Sequence, residues 1–161
     1  MRVLGIDFGL RRIGLALSDE SATLARPWKT VSAGSTPQAS ASAVATLIGE
    51  LGGDVEAQPS GLAHIVVGLP KRLNGDETDQ TRAARTFARS LQEATGLRVH
   101  TQDERLSSHE AERLLAEQER DWRQRKKKLD AAAAAVILQD YLDQRARDRA
   151  LADRDEPEAG W

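Results

Sequence analysis

The chain contains no cysteine, which excludes disulfides and thiolate chemistry and makes a reducing cytoplasm the expected setting. Aromatic residues make up only 4% of its 161 positions, too few for the stacking platforms of single-strand-binding proteins. No apolar run approaches the roughly 18 residues of a membrane-spanning helix. The opening MRVLGIDFG has neither the basic n-region nor the small-residue cleavage site of a secretory leader. Global basicity is missing as well: 23 Lys and Arg stand against 25 Asp and Glu, a net charge of −2. Any attraction to nucleic acid must therefore come from local clusters.

What is present reads as one soluble α/β domain over residues 1–150, with 151–161 a charged, proline-bearing and flexible C-terminal tail. Hydrophobic residues are 40% and charged residues 30% of the chain, enough to build a core at this length. RVLGIDFG, RIGLALSD and LARPWKTVS have the look of three short strands, the first two joined by a hairpin at Gly9. Thr36 and Pro37 suit the N-cap and first position of a helix that runs to Gly52-Gly53. HIVVGLP reads as a buried strand, residues 79–94 as a helix ended by Gly96, and LRVHTQDE as a last strand. Ser107 and Glu110 form a capping box for a helix to about Glu119, and Asp130 stands where the final alanine-rich helix is expected to begin.

Three acids then fall at element ends: Asp7 near the end of the first strand, Glu104 after the last, Asp130 at the helix start. In α/β sheets such ends crowd one edge, where ligands bind. Carboxylates converging there repel unless a cation lies between them, and hard divalent ions such as Mg²⁺ favour all-oxygen sites. Two such ions can drive an in-line phosphodiester displacement. Each acid also has a plainer reading. Asp7 would accept hairpin N–H groups, Glu104 would pair with Arg105 at the surface, and Asp130 would cap its helix. Spacing alone leaves both readings open.

GIDFGLRRIGLALSD, IVVGLPKRLNGDET, DERLSSHEAERLL and KKKLDAAAAAVILQDYL, in this order over residues 2–142, resemble the YqgF/RuvX family. These are Holliday-junction-resolvase-like proteins described as pre-16S rRNA nucleases. The resemblance implies a ribonuclease-H-like α/β fold: a mixed five-stranded sheet, its first three strands antiparallel, with helices on both faces. It places the family's catalytic and metal-binding acids at Asp7, Glu104 and Asp130, with Mg²⁺ or Mn²⁺ as cofactor. The implied activity is metal-dependent endonucleolytic cleavage of structured RNA during 5′-end maturation of pre-16S rRNA, with a DNA junction as the alternative substrate.

Within that frame Gly9, Arg11, Arg105 and Lys128 are the candidates for substrate phosphates. Gly9 also fits a simple turn, and Arg11 a solvated hairpin charge. RQRKKK at 123–128 is the strongest basic run, expected as a loop, and it lacks the glycine common there in the family. Arg82, Arg85 and Arg89 share a helix face that suits either a nucleic-acid backbone or solvent. His64 and His100 suit core or edge roles, His109 a remote general-acid role, and Trp122 is the aromatic nearest the basic run. A non-catalytic nucleic-acid-binding factor is the rival class. An ATP-handling relative lacks its second D-x-G loop, and the oligomeric state, monomer or homodimer, is left open.

Overall fold

The first three apolar runs alternate sides and pair as an antiparallel meander. In the computed structural model, which describes residues 1–51, 61–72, 74–104 and 122–155, they are β1 (Arg2–Phe8), β2 (Arg12–Ser18) and β3 (Ala25–Ser32). The β1–β2 register sets Asp7 opposite Gly14. Beyond Ser18 the chain turns on Asp19, whose carboxylate accepts the Thr23 and Leu24 N–H groups at 2.8 and 3.1 Å. These bonds hold the Asp19 carboxyl well below the usual range.

β4 (Leu62–Leu69) pairs with β1 in parallel, and β5 (Val99–Asp103) with β4 likewise. The sheet order is β3-β2-β1-β4-β5, the mixed five-stranded arrangement expected. Helix α1 (Pro37–Leu51) opens with Thr36 Oγ1 accepting the Ala39 N–H at 3.0 Å. Helix α2 (Asp79–Thr95) opens on a Thr78–Thr81 capping box and closes at Gly96, whose φ of 69° lets its N–H reach the Gln92 carbonyl.

Strand alternation sorts side chains onto two faces. Leu4, Ile6, Phe8, Ile13, Leu15, Ile65 and Val67 pack under α1 and α2 with Val44, Ile48, Phe87 and Leu91. Phe8 and Phe87 stack at 4.7 Å between centroids. On the other face Val3, Ala16 and Val66 meet Ala134, Ile137, Leu138 and Leu142 of α3 (Trp122–Asp155). The alanines hold this helix close to the sheet, and a side chain on Gly5 would fall 2.6 Å from Leu138 Cβ.

α3 corrects two expectations. It is 34 residues long, about 50 Å at 1.5 Å per residue, and begins at Trp122. The backbone of 123–128 is therefore helical, not a loop, and Asp130 lies inside the helix, not at its N-cap. Arg, Gln, Lys and Leu are good helix formers, and no Gly or Pro interrupts them, so the capping preference of Asp130 does not decide the start. The helix also continues past residue 150 to Asp155, with residues 143–154 exposed. Residues 156–161 and the helix expected from Ser107 lie outside the described residues.

Candidate active site

Asp7 points to the α3 face of β1, near its C-terminal end, and is half-buried. Glu104 follows β5 directly, and its N–H extends the parallel ladder by donating to the Leu69 carbonyl at 3.2 Å. That bond places its side chain on the face occupied by Asp7, and the two carboxyl groups hydrogen-bond to each other. Burial pushes both carboxyls above the usual range. The charge of Asp7 pushes Glu104 further, and its hydrogen bond with Asp7 favours the protonated form. For Asp7 the Glu104 bond works the other way, while the nearby Asp130 charge adds to the rise. Near neutral pH the pair therefore keeps a proton, with the Glu104 hydroxyl donating to the Asp7 carboxylate.

Two glycines make this geometry possible. A Cβ on Gly68 would stand 2.5 Å from Glu104 Oε2 and 2.6 Å from Ile137 Cδ1, so only glycine lets the carboxylate lie against β4. A Cβ on Gly14 would stand 1.9 Å from the Asp130 carbonyl oxygen. The bare backbone opposite Asp7 is where α3 crosses the sheet, and it brings Asp130 alongside. Arg12, at the start of β2, donates from Nε to Asp130 Oδ2 at 2.7 Å. At the next strand exit Lys71 Nζ pairs with Asp103 Oδ1 at 3.0 Å, which ties the chain after β4 to the residue preceding Glu104.

The structure thus gathers Asp7, Glu104 and Asp130 at one sheet edge, from β1, the end of β5 and α3. Asp7 and Glu104 touch, whereas Asp130 is engaged by Arg12. Among the described residues no three His, Asp or Glu side chains close on a single point. Arg11 and Lys128 are exposed near this edge. Gly9 has a structural reason of its own, since a Cβ there would meet the Arg12 carbonyl oxygen at 2.4 Å. Arg105 and His109 lie outside the described residues, as does the Trp122 side chain. Arg82 pairs with Asp79, and Arg85 with Glu77 at 2.5 Å; both sit on α2, across the sheet from the acids. Arg12 and Lys71 were not singled out from sequence. The only sequence signal for either was its position, one beside the D-x-G turn and one after GLP.

The donor set fits a hard divalent cation. Two touching buried carboxylates need a proton or a metal between them, and ionised carboxylates offer only oxygen lone pairs.

A family model described as "RuvX: Holliday junction resolvase" matches residues 1–144. The chain belongs to the RuvX family. A protein of Anaeromyxobacter sp. (strain Fw109-5) named "Putative pre-16S rRNA nuclease" is 43% identical over 145 residues, which are 90% of this chain and 98% of that protein. One of the same name from Protochlamydia amoebophila (strain UWE25) is 39% identical over 144 residues, 89% and 94% of the two chains. Among solved structures, Thermus thermophilus RuvC superposes with a TM-score of 0.51 at 15% identity, covering 91% of this chain and 97% of that one. This likeness places the RuvX chain in the ribonuclease-H-like fold, as its strand order and two-sided helices also do.

Proposed function

We propose that this chain is a metal-dependent endonuclease that hydrolyses phosphodiester bonds in structured RNA, acting in the cytoplasm on the 5′ end of pre-16S rRNA. The observation that carries this reading is the proton-sharing Asp7–Glu104 pair at the sheet edge, with Asp130 beside it, in a chain of the RuvX family. The names of its relatives supply the substrate.

Asp7 and Glu104 would hold Mg²⁺ or Mn²⁺, and Asp130 would complete the site. Such an ion supplies Lewis acidity and lowers the pKa of the attacking water. To receive it the carboxyl pair must give up its shared proton, so binding strengthens as pH rises. Arg12 keeps Asp130 at the edge by holding Oδ2, which leaves Oδ1 for other work. Exposed Arg11 and Lys128 would grip phosphates flanking the scissile bond, their positive charge meeting the charge that develops there. Gly9 and Arg105 complete the proposed substrate contacts.

The family description keeps a four-way DNA junction as the second substrate reading. The deciding experiment offers purified protein, with Mn²⁺ or Mg²⁺, a precursor 16S fragment and a DNA junction. Cutting of the RNA alone supports the first reading, and cutting of the junction alone supports the second. Salt-sensitive binding without any cutting would leave a non-catalytic binding factor.

A further inference from the structure

At the opposite end of the same sheet face, three rings and two arginines meet. His64 near the start of β4 and His100 near the start of β5 lie edge to face at 5.0 Å between centroids. Tyr141 of α3 stands 5.5 Å from the first and 5.7 Å from the second. Tyr141 Oη lies 3.0 Å from His64 Nε2, and Arg145 Nη1 reaches the same nitrogen at 3.2 Å and Oη at 3.3 Å. A guanidinium only donates, so His64 Nε2 is an acceptor and the ring is neutral. Arg98, exposed at the entry to β5, contributes a second positive charge felt by both rings.

Among the described residues neither Arg98 nor Arg145 makes a salt bridge. The acids nearest Arg145 along α3, Asp143 and Asp148, are engaged by Gln139 and Gln144 at 3.0 Å. Burial first, then the neighbouring positive charges, push both imidazoles below their ordinary range. The imidazoles stay neutral beside Arg98 and Arg145, so the positive charge here is carried by the two guanidiniums, which an anion would meet.

The cluster also has a fixed relation to the carboxylates. His64 and Gly68 lie on one face of β4, four residues apart, and His100 and Glu104 are related in the same way along β5. Four residues of strand span about 13 Å, a distance that a few nucleotides of one strand cover.

We propose that Arg98, His100, Tyr141 and Arg145, backed by His64, form a phosphate-binding site. Its ligand is a backbone phosphate of the nucleic-acid substrate a few nucleotides from the scissile bond. The assignment to substrate backbone rests on the nuclease reading, whereas the phosphate site itself does not.

The test uses the full chain without divalent ions, titrated with inorganic phosphate in one arm and a short RNA oligonucleotide in the other. The imidazole proton resonances of His64 and His100 are followed by NMR and assigned with His→Gln variants. Both arms should move these resonances saturably. Arg145→Gln, at an exposed position, should keep the wild-type melting temperature. It should weaken RNA binding about three- to tenfold and lower the log K against log salt slope by about 0.7. Arg98→Gln should act in the same direction.

A response to RNA alone supports a polymer phosphate. A response to phosphate alone keeps the site but overturns its assignment to substrate. Unmoved histidines in both arms, with Arg145→Gln binding RNA as tightly as wild type, would overturn the site. Neither arm needs cleavage, so a chain that binds here but cuts nothing when Mn²⁺ or Mg²⁺ is supplied refutes the nuclease reading and leaves this site standing.

Discussion

Replacing Gly14 with alanine adds one methyl group where α3 crosses β2. The new Cβ would lie 1.9 Å from the Asp130 carbonyl oxygen and 2.2 Å from its carbonyl carbon. Ordinary carbon–oxygen contact needs about 3.4 Å, so the helix must retreat by about 1.5 Å at the residue that carries the third acid. Neither partner can rotate away, because both are backbone within regular elements. Overpacking of this kind costs about 1–3 kcal/mol, which for a chain of this length lowers the melting temperature by about 5 °C. A displacement of about 1 Å at a catalytic group costs on the order of 100-fold in rate. The assay pairs a thermal melt with initial rates of Mn²⁺-dependent cleavage. Gly49→Ala is the control: it lies inside α1 with nothing within 4 Å of its added Cβ, and should stabilise by about 0.5–1 kcal/mol without touching the rate. Wild-type melting and wild-type rate in Gly14→Ala would refute the close-approach account of how Asp130 is delivered.

Other substitutions separate charge from packing. Arg12→Gln removes the ion pair to Asp130; both side chains are partly exposed, so stability should change by less than about 1 kcal/mol. Cleavage should nonetheless fall about tenfold, with part restored by Arg12→Lys; an unchanged rate would remove Arg12 from the site. Asp7→Asn relieves the buried carboxylate pair. Both acids titrate higher in the folded chain than unfolded, so the metal-free wild type loses stability as pH rises from the ordinary carboxylate range toward the folded values. The variant should therefore melt above wild type at pH 8 and close to it at pH 4, as scanning calorimetry would read. His64 works in the opposite sense. Its pKa is pushed down to about 4, so the unfolded chain takes up a proton first as pH falls below about 6.5. The loss by pH 4 is about 2 kcal/mol once solvent screening is allowed for, and His64→Gln should flatten that part of the stability profile.

The strands along the chain and two of the helix ends were legible because each rests on local chemistry. Thr36-Pro37 and Gly96 punctuate their helices, and alternation in RVLGIDF and RIGLALS marks two-faced strands. Asp7 and Glu104 were legible as strand ends, whereas Asp130 was assigned to a helix start that it does not occupy, and the reason the three meet was not legible. It lies in glycines at 14 and 68, which read locally as weak strand residues and act only when a helix or a carboxylate arrives from far along the chain. The start of α3 was misplaced because Asp130 carries a strong capping preference, while the helix-forming residues before it carry many weak ones that together outweigh it. Arg12 illustrates the same limit: of two adjacent arginines, strand parity sends one toward Asp130 and leaves Arg11 exposed. The cluster of His64, His100, Tyr141 and Arg145 joins two strand starts to a helix 77 residues from His64 to Tyr141 in sequence, a separation that no local pattern reports.

The most direct test of the central claim is metal-dependent cleavage of a precursor 16S fragment by the wild-type chain and by Asp7→Asn. The carboxylate site predicts cutting by wild type that requires Mg²⁺ or Mn²⁺ and is lost in a variant that still folds and still binds RNA. Equal cutting by Asp7→Asn, or cutting by wild type in the presence of a chelator, would contradict it.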